Sequence, residues 1–221
     1  MTTLKAQKTR ATIVEEALGL FASQGFEATT MKQVAEAAGC STGLAYRYFR
    51  RKEDLAMELY LRLARELARR AGATTAQAST MGERFVAVMR LKLELLEPHR
   101  EALAALAGAM LRDASPLDVL GPETARVRSE VQAALVASVR GGANAPDAWT
   151  PKLGALIYVT HLVLLLVWLL DHDVTRPRTA SALGAAGLAI DAAAPWLTHP
   201  AAGALGAALE AIISPVEEES S

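Results

Sequence analysis

The chain has 221 residues, of which 52% are hydrophobic and only 5% aromatic, and a formal net charge of −1. That length suits one or two small domains, and an interior built on Ala and Leu favours helix over strand. The charge excludes a generally basic protein, and the single cysteine, Cys40, excludes an internal disulfide and a Cys-rich zinc site.

The charge is unevenly placed. Residues 1–70 hold 12 Lys and Arg against 8 Asp and Glu, whereas residues 71–221 hold 11 against 16. A cationic excess at one end is the electrostatic footprint of a polyanion-binding segment. The N-terminal residues lack the apolar run of a signal peptide, so a reducing cytoplasm is the expected compartment.

In chain order, residues 1–8 read as a polar or basic arm. Residues 9–25 form an amphipathic helix with Ile13, Ala17 and Phe21 on one stripe, Val14 and Leu18 beside it, and Gly25 as its terminator. A second helix opens at Thr30, where Thr followed three residues later by Gln33 is a capping box. Gly39 supplies a tight turn, and Ser41 caps a third short helix. A longer helix runs over residues 53–70, its acids in the first turn and Arg69 and Arg70 in the last. Residues 72–80 read as a loop. Further helices are expected near residues 81–96, 99–113, 121–140, 149–171 and 178–198, with a weaker one at 200–213 and an acidic tail at 215–221. Pro195 ends or kinks the helix that contains it.

The second and third helices have the layout of a helix-turn-helix. A reader of the major groove needs a slender helix, a brace that fixes its angle, and cations or hydroxyls for phosphates. Thr42 and Gly43 are small enough for close approach to base edges, Arg47 suits bidentate bonding to guanine, and Leu44 suits a thymine methyl. Tyr46, Tyr48, Lys32 and Lys52 are placed for phosphates, with Thr30 and Gln33 at the second helix start. Structural roles compete: Tyr48 and Phe49 also fit the small core, Lys32, Arg50 and Arg51 fit a solvated face, and Cys40 fits a small buried hydrophobe.

These residues closely resemble the TetR family of bacterial transcription regulators. The resemblance is carried by residues 30–35 (TMKQVA), 38–41 (AGCS), 44–49 (LAYRYF) and 52–55 (KEDL), together with Phe21, Gly25 and Phe26. It covers about residues 9–60; beyond residue 70 it is architectural. It implies an all-α fold with an N-terminal three-helix helix-turn-helix domain and a C-terminal helical ligand-binding and dimerisation domain. It also implies a cytoplasmic homodimeric repressor on a double-stranded DNA operator, released by a small apolar effector. The implied division is residues 1–52 for DNA binding, 53–72 as a connecting helix and 73–214 for effector binding and dimerisation. Cys40 and Leu44 depart from the commoner residues at their positions, so the operator sequence does not carry over from relatives.

No enzymatic motif is present. His99, His161, His172 and His199 are scattered, without HExxH, GxSxG or a phosphate loop, so no catalytic residue, metal or cofactor is expected. Leu153–Leu170 carries no Asp, Glu, Lys or Arg and is just long enough for a membrane span. The preferred reading is a core or interface helix rather than a membrane one. Together with the small-residue helix at 178–198 it is the expected dimer interface, an isologous pairing. Met89, Met110, Trp149, Tyr158, His161 and Trp168 are the candidate effector contacts, chosen by residue type alone, with plain core as the competing reading. His161 interrupts the apolar helix and requires a hydrogen-bond partner or a ligand.

Overall fold

The computed structural model describes residues 4–112, 115–147 and 151–213, and among these all regular structure is helical. Ten α-helices follow in order: α1 (Leu4–Gln24), α2 (Met31–Ala37), α3 (Thr42–Tyr48), α4 (Lys52–Thr74), α5 (Met81–Leu96), α6 (Arg100–Met110), α7 (Ala125–Val139), α8 (Pro151–Leu170), α9 (Pro177–Ala193) and α10 (Pro200–Ile213). Short 3₁₀ turns precede α6 at Glu97–His99 and follow α9 at Ala194–Trp196. Trp149 and the acidic tail at 215–221 lie outside the described residues.

Several boundaries shift from the sequence expectation. Helix α1 starts at Leu4 rather than at residue 9, and the hydroxyls of Thr9 and Thr12 bond back to the Lys5 and Lys8 carbonyls inside it. Helix α4 runs through Gly72 to Thr74, because an exposed helical glycine costs only about 1 kcal/mol and does not stop a well-anchored helix. Pro195 does end its helix, which gives way to the 3₁₀ turn.

The chain forms two compact units: Met1–Leu63 with Pro98–Thr124, and Ala64–Glu97 with Ala125–Ser221. The backbone therefore passes between them at three places, not through the 53–70 helix alone. Residues 98–124 belong with the N-terminal helices because α6 is itself amphipathic. It buries Ala102, Leu103, Leu106 and Ala109, and it packs on α1.

In the N-terminal unit α1 buries Ile13, Val14, Ala17, Leu18 and Phe21, and Phe21 meets Phe26 edge-on with ring centroids 5.0 Å apart. Leu55, Ala56 and Leu59 of α4 complete this core. Ion pairs from Arg10 to Glu58 and from Arg62 to Glu15, each 2.7 Å, join α1 to α4 on the surface.

In the C-terminal unit α5 is the central element, packed on α7, α8 and α9. Thr80 and Glu83 form a capping box at its start. The backbones of α5 and α9 meet at Gly82 and Gly187, where a Cβ on Gly82 would overlap the Gly187 carbonyl oxygen. Asp191 of α9 closes this contact by accepting from Thr80 Oγ1 (2.7 Å), Gly82 N (2.8 Å) and Asn144 Nδ2 (2.9 Å). Arg84 joins the ends of two helices, donating to the Ser138 carbonyl (2.6 Å) and to those of Thr75 and Ala78. Helix α8 lies against α7, α9 and α10. Leu153–Leu170 within it is long and apolar enough to cross a membrane by length and composition only, and 44% of it is buried in the protein.

The core of this unit contains a lysine. Lys92 of α5 is 9% exposed, and burial pushes its pKa down to about 7. Between that value and the ordinary 10.5 the unfolded chain binds a proton that the folded chain does not, so this group's contribution to stability rises with pH across that window. Lys92→Met is expected to be more stable than wild type at pH 6, with a difference that shrinks by up to ~1.4 kcal/mol per pH unit as pH rises through the window. Urea denaturation at pH 6 and pH 9.5 measures it; a pH-independent difference contradicts the assignment.

Candidate nucleic-acid interface

Helix α3 has seven residues and cannot stand alone in water, so its neighbours must fix it. Four devices do so. The Thr30 hydroxyl accepts from Gln33 N while the Gln33 side chain accepts from Thr30 N (2.9 Å), which starts α2. Gly39 takes φ +63°, a left-handed turn that side chains resist, and swings the chain between the helices. The Ser41 hydroxyl accepts from Leu44 N (3.2 Å) and starts α3. Ala45 and Phe49 are buried against a core that includes Val34 and Ala35.

With Ala45 and Phe49 inward, the remaining α3 positions turn out. Gly43 and Arg47 are exposed, Tyr46 is 51% exposed, and Thr42, Leu44 and Tyr48 are half-buried. A Cβ added at Gly43 would meet no other atom within 4 Å, so this end of the helix is sterically open. Among the described residues the Arg47 guanidinium has no ion-pair or hydrogen-bond partner. The arrangement is an open, narrow helix with one uncommitted cation, two exposed or half-exposed phenols and a small N-terminal end. Those are the parts that reach base edges and phosphates.

The other nominated residues divide. Lys32 is exposed on α2, 4.0 Å from Glu36. Thr30 and Gln33 are committed to each other in the cap, and Gln33 also reaches Gln24 at 3.5 Å. Lys52 is turned inward: its ammonium donates to the carbonyls of Phe26 (2.7 Å) and Glu27 (3.2 Å) and lies 4.3 Å from the Phe26 ring centroid. It thus closes the α1–α2 turn onto α4. Arg51 pairs with Asp54 (3.1 Å) and with Glu123, and Arg112 pairs with Glu27. Sequence spacing put these charges beside the reading helix but could not show that they are engaged. If Lys52 is a structural clamp, Lys52→Met lowers unfolding stability by about 1–2 kcal/mol in urea titrations; unchanged stability would return Lys52 to the phosphate-binding set.

The residues nominated for an effector fall in both units, apart from Trp149, which lies outside the described residues. Met89, Tyr158, His161 and Trp168 are buried in the C-terminal unit, whereas Met110 lies in the N-terminal one. Trp168 donates its indole N–H to Glu97 (3.0 Å), which also pairs with Arg176 (2.7 Å). A cavity of about 610 Å³ in the C-terminal unit is lined by other residues: Arg65, Ala68, Gly72 and Thr75 of the α4 end, Arg84 of α5, and Ala133, Ala137 and Ser138 of α7. Alanines gave sequence reading no signal there. His161 does have the partner that burial demands, Lys92. Lys92 was the missed residue, although it falls on the apolar stripe of α5 with Val88, Met89 and Leu96.

Residues 13–59 match the sequence profile described as "Bacterial regulatory proteins, tetR family". The HTH-type transcriptional regulator BetI of Brucella canis is 31% identical over 96 residues, 43% of this chain; the match spans about half (48%) of that relative's length. A TetR-family transcriptional regulator from Streptomyces coelicolor superposes with a TM-score of 0.62 at 20% identity, covering 93% of this chain and 90% of that one. Thermus thermophilus FadR, a TetR-family transcriptional repressor solved in complex with lauroyl-CoA, superposes with a TM-score of 0.52 at 18% identity, covering 80% and 90%. The sequence match to the tetR family is thus confined to the N-terminal helices, and the fold that carries them is shared with TetR-family structures over most of the chain.

Proposed function

We propose that the chain is a ligand-responsive repressor that binds a palindromic operator as a homodimer and is released by a small, largely apolar molecule. Residues 1–52 read DNA, 53–72 connect, and 73–214, apart from the 98–124 segment that packs with the N-terminal helices, bind the effector and dimerise. The observation that carries this reading is the open outer face of α3 with Arg47 uncommitted. Tyr46 and Arg47 meet base edges and phosphates, with Thr42, Gly43 and Leu44 nearest the groove floor. The charge balance supports it, since the cationic excess lies in the same third of the chain.

Dimerisation is supported by an apolar surface on α8 and α9. Val163, Leu166 and Leu170 of α8 and Leu188 of α9 are each more than half exposed, with Gly184 and Ala185 exposed beside Leu188. A second copy covers such a surface by isologous pairing, and two heads roughly 34–36 Å apart match successive major-groove faces. An effector that prefers another head spacing draws the dimer off its operator by population shift. A repressor of this fold solved in complex with lauroyl-CoA supports a response to a small molecule here. The cytoplasm, where operators are, is the proposed compartment.

Two experiments test the reading. Against an operator selected from genomic fragments, Tyr46→Ala with Arg47→Ala should lose about 1–3 kcal/mol of specific binding by fluorescence anisotropy, with unchanged melting. Undiminished affinity would remove α3 from the interface. Light scattering should return about twice the 23.4 kDa chain mass for wild type and the single mass for Leu166→Glu with Leu188→Glu. A wild-type monomer at micromolar concentration would reject the dimer.

A further inference from the structure

The interior of the C-terminal unit holds a polar pair, one member on α5 and one on α8, that is no part of the DNA-reading surface. Lys92 on α5 and His161 on α8 are 9% and 2% exposed, and Lys92 Nζ lies 2.5 Å from His161 Nε2. His161 Nδ1 faces the Tyr158 carbonyl at 3.2 Å. A carbonyl can only accept, so Nδ1 carries the ring proton and Nε2 offers its lone pair to Lys92. Burial, and then the Lys92 charge, hold the His161 pKa well below its ordinary value, which keeps the ring neutral. In the protonated form, which the ligand-free fold holds below about pH 7, one of three ammonium donors is thus matched. Among the described residues no carboxylate bonds or pairs with Lys92. A further cation, Arg128, is buried on α7 and acts on Tyr158, whose ring stands 5.1 Å from that of His161.

Buried polar groups are almost always matched, and a buried cation is tolerated where an opposite charge joins it. Position 92 shares the stripe of Val88, Met89 and Leu96, where Leu or Met would fill the space without that cost. The lysine therefore serves something other than packing. We propose that Lys92, oriented by His161, anchors the acidic group of the effector, which is an apolar molecule bearing one oxyanion, a carboxylate or a phosphate monoester. The negative charge of the bound oxyanion favours the protonated form of Lys92, whose two remaining ammonium protons donate to it. The neutral imidazole holds the ammonium in place without competing for the anion, and the low surrounding dielectric strengthens the bond. This inference rests on the effector-response reading above and names its ligand class.

The test uses the full-length protein in thermal-shift assays with matched acids and neutral counterparts: hexanoate and hexanamide, decanoate and decanamide, benzoate and benzamide, phenyl phosphate and phenol. At least one acid should raise the melting temperature by several degrees where its counterpart does not. Lys92→Met should melt cooperatively and lose that shift, and His161→Gln should weaken it. A response to carboxylates alone or to the phosphate alone identifies the oxyanion. No shift with any acid, an equal shift with the neutral counterpart, or a shift that survives in Lys92→Met overturns the proposal. Operator release measured in parallel separates the two readings. An acid that binds through Lys92 yet leaves operator binding untouched keeps the anchor and refutes the effector response. A neutral compound that releases the operator from wild type and Lys92→Met alike does the reverse.

Discussion

Seven residues are too few to make a stable helix in water, and the rest of the N-terminal unit follows from that constraint. Helix α3 exists because Ala45 and Phe49 are held in a core made by α1, α2 and α4, and because both of its ends are fixed, by Ser41 and by the turn into Lys52. Once those two residues point inward, helical geometry obliges Tyr46 and Arg47 to point out. The exposed face is therefore a consequence of the buried one. The ion pairs Arg51–Glu123 and Arg112–Glu27 extend the same bracing to the segment after α6. The charge around the reading helix is accordingly of two kinds: Arg47 is uncommitted, and Arg51 and Lys52 hold the frame.

The C-terminal unit solves a different problem. Helix α8 is apolar on nearly every side, more than a single core can cover, and its Val163, Leu166 and Leu170 stay exposed. Helix α9 divides its small residues between two uses. Gly187 lets the α5 backbone come close, while Gly184 and Ala185 stand on the uncovered side with Leu188. A lysine and a histidine are buried in this otherwise apolar setting, at an electrostatic cost that packing gives no reason to bear.

The parts of the protein that local chemistry determines could be read from the sequence. The Thr30–Gln33 box, the Gly39 turn, the Ser41 cap and the α3 spacing each involve residues within four positions of one another, and each is where the pattern put it. Features that depend on distant partners were not legible. Lys52 looked like a phosphate contact because its bonds to Phe26 and Glu27 cross 26 and 25 positions. The membership of residues 98–124 in the N-terminal unit depends on α6 meeting α1. Five of the eleven residues that line the cavity are alanines, which signal only helix. Lys92 was legible, as a charge on the apolar stripe of Val88, Met89 and Leu96.

The proposed seat of α3 is the major groove of an operator. Dimethyl sulfate footprinting separates the grooves directly, because it modifies guanine N7 in the major groove and adenine N3 in the minor groove. The account requires protection of guanine N7 in two patches about one helical turn apart, centred on the operator's two half-sites. Protection confined to adenine N3, or an operator complex that leaves every guanine N7 reactive, would contradict it.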